Sequence, residues 1–200
     1  MTLELLTGLA LFSFVSSITP GPNNLMLMAS GANFGFRRTL PHMLGVALGF
    51  TLMLVLVGIG LVGLFETYPA SYEVLKVVSV AYLLYLAWKI ATSASHPGSG
   101  ESKPEGTPMT FLQAVLFQWV NPKGWTMALT ALSVYAPSQN LLAVLFVAAV
   151  FGAINFPCVS SWTLLGQRLQ SLLTSDRRMV AFNVTMATLL VVSLYPVLLP

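Results

Sequence analysis

Charge is scarce in this chain. Only 8% of its 200 residues are Asp, Glu, Lys or Arg, against about 25% in an average soluble domain. The mean hydropathy of +0.81 agrees, and apolar runs near 20 residues long point to an integral membrane protein. Cysteine is limited to Cys158, which excludes an intramolecular disulfide and a thiol-pair redox relay. No Asp or Glu falls well inside an apolar block. Glu4, Glu66 and Glu73 are terminal or interfacial, so a carboxylate proton relay across the membrane is missing. No His/Cys/Asp cluster has metal-ligand spacing, and no glycine-rich nucleotide loop is present. No metal or cofactor is therefore expected, and ATP drive would need another chain. The few basic residues sit at block ends, which reads as membrane topology and not as nucleic-acid binding.

The apolar residues come in continuous blocks, not in alternation, which favours helices over an outer-membrane barrel. Six membrane spans are predicted, at about 3–34, 43–65, 71–91, 109–136, 141–165 and 179–199. Glu4 and the lack of a basic start lead us to read residues 3–18 as part of the mature protein. Residues 93–108, rich in Ser, Gly, Pro and charge, read as a flexible linker. Of nine basic residues, Arg37, Arg38, Lys89, Lys103, Arg168, Arg177 and Arg178 fall on one side, Lys76 on the other, and Lys123 within the membrane. The positive-inside rule makes the seven cytoplasmic and both termini external. Three spans before the linker and three after it place the halves in opposite orientation. The expected fold is all-α, one transporter domain over 1–200. Two inverted three-helix repeats, about 1–92 and 109–200, flank the linker.

Spans one and four are too long for a perpendicular crossing, and each carries a polar break. The first is Thr19-Pro20-Gly21-Pro22-Asn23-Asn24. Backbone that leaves the helix at membrane depth is tolerated only where protein buries it or a watery cavity meets it. Gly21 supplies conformational freedom, and Pro22 suits the first position of a new helix. The N–H groups that follow lack intrahelical partners and form a positive pole suited to a carboxylate. Asn23 and Asn24 add amides. The second break, Asn121-Pro122-Lys123-Gly124, repeats this logic, with Asn121 as N-cap and Pro122 as first helical residue. A lysine near the bilayer centre costs about 2.5–3.5 kcal/mol on insertion scales, so Lys123 calls for a partner or a wet cavity. Paired broken helices point to a transporter's binding site. Pro20, Gly21, Pro22, Asn23, Asn24, Asn121, Pro122 and Lys123 are the candidate substrate-binding residues.

Gly31/Gly35 and Gly45/Gly49 have helix-packing spacing, and Gly35 also suits a helix end before Arg37. Arg37 is chiefly a topology marker, with guidance of anions at the inner mouth as its alternative role. His42, near the inner end of span two, is a candidate for coupling or gating because imidazole changes charge near neutrality; an interfacial histidine is the competing reading. Asn155 and Asn183 are expected to join helices, with cavity lining the lesser option. Trp88, Trp119, Trp125 and Trp162 read as core or interface anchors.

At these residues the chain resembles the LysE/RhtB family of amino-acid exporters. The first break, followed by Gly31, Gly35, Arg37 and Gly45, is similar to that family's N-terminal signature. Asn121-Pro122-Lys123 is similar to its second-half counterpart. The resemblance covers essentially the whole chain. It implies efflux of amino acids or derivatives across the bacterial inner membrane, driven by the proton motive force. Ala87-Trp88-Lys89-Ile90-Ala91-Thr92-Ser93 and Thr130-Ala131-Leu132-Ser133 resemble the cysteine and O-acetylserine branch. Many relatives carry a Phe-rich run with Pro-Gln-Phe after the second break. This chain instead has Gly124-Trp125-Thr126-Met127-Ala128, then Pro137-Ser138-Gln139. The expected partners are a small amino acid substrate, the lipid bilayer and protons, with homo-oligomerisation open. Export of another small solute or a metal ion is the alternative, though acidic and thiol ligands are lacking. An intramembrane enzyme or redox relay lacks the acid–base pair and the second thiol it would need.

Overall fold

The computed structural model describes residues 2–61, 67–68, 70–93, 106–136 and 140–195. Among them there is no strand, and seven α-helices follow one another. They are α1 (Leu3–Ile18), α2 (Pro22–Leu56), α3 (Ala70–Ala91), α4 (Phe111–Val120), α5 (Pro122–Tyr135), α6 (Leu141–Gln170) and α7 (Asp176–Val192). A π-helical turn, Val57–Leu61, extends α2. Linker residues 94–105 with Lys103, the turn residues Pro137, Ser138 and Gln139, Glu66, and residues 196–200 lie outside the described residues.

Three helical segments are long and apolar enough to cross a membrane by themselves: Pro22–Leu61, Ala70–Ala91 and Leu141–Gln170. The others are shorter than the roughly 20 residues a straight crossing needs. Both expected breaks are present, between α1 and α2 and between α4 and α5.

One boundary differs from expectation. No loop separates the first two predicted spans, because α2 runs through them with a single non-helical residue, Gly35, at φ 78° and ψ 168°. A positive φ suits glycine, and one such residue is enough to redirect the chain. The 22–34 and 36–56 limbs then lie side by side. The Ser30 and Thr39 hydroxyls are 2.9 Å apart, and Leu27 clusters with Met43 and Val46. Phe36 N–H, an orphan donor at the restart, donates to Gln167 Oε1 at 2.6 Å. Arg37 and Arg38 thus sit on helix, not in a loop between the first two spans, and His42 continues the same limb.

The glycines permit close crossings. A Cβ on Gly31 would lie 2.2 Å from the Thr163 carbonyl oxygen, and one on Gly166 would lie 2.0 Å from that of Met28. The 22–34 limb and α6 therefore touch backbone to backbone. Gly45 and Gly49 bring the 36–56 limb equally close to Phe111 and Val115 of α4. Two apolar clusters flank the breaks. One joins Leu9, Phe50, Met53, Met127, Leu132 and Phe151. The other joins Met26, Leu83, Leu86, Phe117 and Leu190.

Candidate functional site

Helix starts fall into two kinds here. Side chains cap the outer ones: Thr2 accepts from Leu5 N–H, Asn140 from Ala143 N–H and Ser175 from Arg178 N–H. Thr110 and Gln113 form a reciprocal capping box on α4. The two starts at the breaks have no side-chain cap, and each has a proline at its first helical position. The first intrahelical bonds there are Leu25 N–H to Gly21 O and Trp125 N–H to Asn121 O. Helix geometry then leaves the N–H groups of Asn23, Asn24, Lys123 and Gly124 without intrahelical partners.

These two starts meet. One cavity, of about 20 Å³, is lined by Gly21, Asn23 and Asn24 from the first break and by Asn121, Lys123 and Gly124 from the second. Both positive helix poles therefore face one small volume, an arrangement that favours an anion. One water needs about 10–15 Å³, so this volume has room for one or two waters and is too small for an amino acid.

Lys123 lies across the junction. Its Nζ donates to the Thr19 carbonyl at 2.8 Å, the Thr19 hydroxyl at 2.9 Å and the Pro20 carbonyl at 3.2 Å. These acceptors sit just past the end of α1, its negative pole. Asn24 Nδ2 reinforces the junction by donating to the Ser17 and Thr19 carbonyls, each at 2.8 Å. Gly21 is not needed for a left-handed backbone, since its φ of 178° is ordinary extended chain. It leaves room for the lysine, because a Cβ there would lie 2.6 Å from Lys123 Cδ and would displace that side chain. Asn121 is the N-cap by position, yet its side chain makes no cap bond and its buried Oδ1 has no partner.

Of the ten residues that the sequence singles out, eight gather at this junction. Pro20, Gly21, Pro22, Asn23 and Asn24 form the first break, and Asn121, Pro122 and Lys123 the second. His42 and Arg37 lie elsewhere: His42 is buried against a second cavity, and Arg37 is exposed beside the Gly35 turn.

Sequence reasoning gives no site role to four contributors; Thr19 enters it only as the start of the first break and Trp162 only as an anchor. Gln118, one turn before the second break, forms a reciprocal amide pair with Asn23, at 2.8 Å and 3.3 Å. Ser17 accepts from Asn155 Nδ2 at 3.1 Å, Trp162 Nε1 donates to the Ile18 carbonyl at 3.0 Å, and Thr19 supplies the Lys123 acceptors. Asn155, expected mainly to join helices, does so and also lines the cavity, where its Oδ1 has no partner. Asn183 pairs with Asn33 across α7 and α2. Among the described residues no group of His, Cys, Asp or Glu is arranged to hold a metal ion. Two helix N-termini, one ammonium and several amides can hold and orient a small carboxylate-bearing molecule; they supply no nucleophile with a base.

The comparisons agree with that chemistry. The family model described as LysE type translocator matches residues 14–197. The cysteine/O-acetylserine efflux protein of Escherichia coli (strain K12) is 32% identical over 197 residues, covering 96% of each chain. The protein of the same name from Shigella sonnei (strain Ss046) matches with the same identity and coverage. No solved structure matches the chain.

Proposed function

The chain belongs to the LysE type translocator family, and with a multi-pass membrane transporter, not an enzyme, as the premise, we propose that it exports small, mostly neutral amino acids from the bacterial cytoplasm. Cysteine and O-acetylserine are the first candidates, because the relatives that cover nearly the whole chain carry those substrates in their name. One observation carries the reading: two uncapped helix N-termini and Lys123 face the same cavity. The substrate carboxylate sits between the two poles. The unpartnered oxygens of Asn121 and Asn155 accept from its ammonium. Pro20, Gly21, Pro22 and Pro122 set the backbone that exposes these groups, and Asn23 and Asn24 hold the first break in place.

The transporter is a single unit of two inverted repeats, 1–92 and 109–200, with the linker cytoplasmic and both termini external. Packing supports this. In each half the first half-helix rests on the second helix after the break in the other half: α1 on α6, and α4 on the 36–56 limb of α2. Rocking of one half against the other opens the junction to each side in turn. The proton motive force drives export, with His42 as the coupling candidate and Arg37 guiding anions at the inner mouth.

A metabolite screen of the medium tests the substrate class. Cells overexpressing the chain are expected to accumulate extracellular cysteine or O-acetylserine several-fold over deleted cells. No rise in any amino acid would contradict the proposal. Collapsing the pH gradient and the potential separately tests the drive; export insensitive to both would rule out proton coupling.

A further inference from the structure

The second cavity, about 100 Å³, lies among the two limbs of α2, α3 and the start of α4. We infer that it is a second binding site, a loading station on the cytoplasmic side for the same carboxylate-bearing substrate; this rests on the export reading above. Its size allows several waters or a small solute, at about 10–15 Å³ per water.

Its lining is chemically specific. Lys89 supplies a cation, and among the described residues no Asp or Glu lines the cavity. The same holds for the central cavity with Lys123, so both volumes suit a molecule with a free carboxylate. Ser30, Gln113, Tyr82 and His42 add hydrogen-bonding groups. His42 is the pointer to a ligand. It is 2% exposed, and neither ring nitrogen has a hydrogen-bond partner. Burying a polar side chain in that way is unfavourable unless something in the cavity bonds it.

The two cavities share one helix face. Asn23 lines the central one, while Met26, Ser30 and Asn33 line the second. Steps of three, four and three residues keep all four on one side of the 22–34 limb. At 1.5 Å per residue they span about 15 Å. Where the linings change over along this face stand Asn23, paired with Gln118, and Met26, which clusters with Phe117 and Leu86. A solute leaving the loading station thus meets one amide pair and one flexible methionine before the helix poles. Arg37 and Arg38, exposed beside the Gly35 turn, mark the end from which it enters.

Cysteine protection tests the site. With Cys158→Ser as background, Ser30→Cys and, separately, Gln113→Cys are introduced, and inside-out vesicles are treated with anionic 2-sulfonatoethyl methanethiosulfonate. Both positions are expected to react, and 10 mM O-acetylserine is expected to slow the reaction at least tenfold. Adding Lys123→Ala should slow transport at least tenfold yet leave protection intact. Adding His42→Leu should remove protection, and His42→Gln should retain it. O-acetylserine transport without protection at either position would overturn the loading station alone. Protection that vanishes with Lys123→Ala would overturn it in favour of one central site. Protection by inorganic phosphate in place of O-acetylserine would mark a headgroup-anion site and overturn it too. Neither transport nor protection would overturn the export reading with it.

Discussion

Lys123→Ala is expected to cut the initial rate of amino acid efflux from preloaded vesicles by about 10- to 100-fold, with normal insertion of the protein. Hydrogen bonds to a charged group contribute about 1.5–3 kcal/mol, and each 1.4 kcal/mol is a factor of ten. Lys123 acts twice. Among the described residues it is the only full positive charge lining the central cavity, and its three bonds to Thr19 and Pro20 fasten the end of α1 to the second break. In the proposed site a carboxylate arriving between the two helix poles would compete with those acceptors for the ammonium, which would couple substrate binding to release of α1. Lys123→Met separates charge from bulk. It keeps an unbranched chain against Gly21, inserts at least as readily because it removes a membrane-embedded charge, and is expected to be as inactive as Lys123→Ala. Export by Lys123→Met above half the wild-type rate would remove Lys123 from the site.

Gly31→Ala and Gly166→Ala are expected to be the most damaging single-methyl additions in the described fold. The added Cβ atoms would lie 2.2 Å and 2.0 Å from backbone carbonyl oxygens of the facing helix. No rotamer change relieves a clash with backbone, so the 22–34 limb and α6 must separate. Overpacking of this kind costs about 1–3 kcal/mol, and Tm falls by roughly 2–4 °C for each kcal/mol in a chain of this size. Gly8→Ala is the control, since its Cβ would meet only the Tyr135 side chain, at 3.3 Å. Thermal unfolding of the purified variants measures the difference. Equal Tm values for Gly166→Ala and Gly8→Ala would contradict the close crossing.

How far the sequence reveals the site depends on how local each signal is. Pro22 and Pro122 announce helix starts by their own chemistry, and both stand at the first helical position. Lys123 announces itself by the cost of its charge. Gln118, Ser17 and Thr19 carry no such signal. Each is an ordinary polar residue near a helix end, and its role appears only when a partner 95, 138 or 104 positions away is brought alongside. Gly35 shows the opposite weakness. A hydropathy block with Arg37 and Arg38 behind it implies a loop, yet one residue at positive φ turns the chain and lets the helix resume at once. For Gly21 the sequence suggests backbone freedom, whereas its φ is ordinary and the Lys123 side chain beside it comes from the other half of the molecule.

The central claim is that two uncapped helix N-termini hold the substrate's carboxylate. It is tested most directly by competition at pH 6 in inside-out vesicles, where transport of radiolabelled O-acetylserine is challenged by unlabelled serine and by serinamide, both with a protonated amine at that pH and differing in the carboxylate. The account predicts that serine competes at least ten times more effectively than serinamide. Equal competition by the two would mean that the helix poles do not read the carboxylate, and would contradict it.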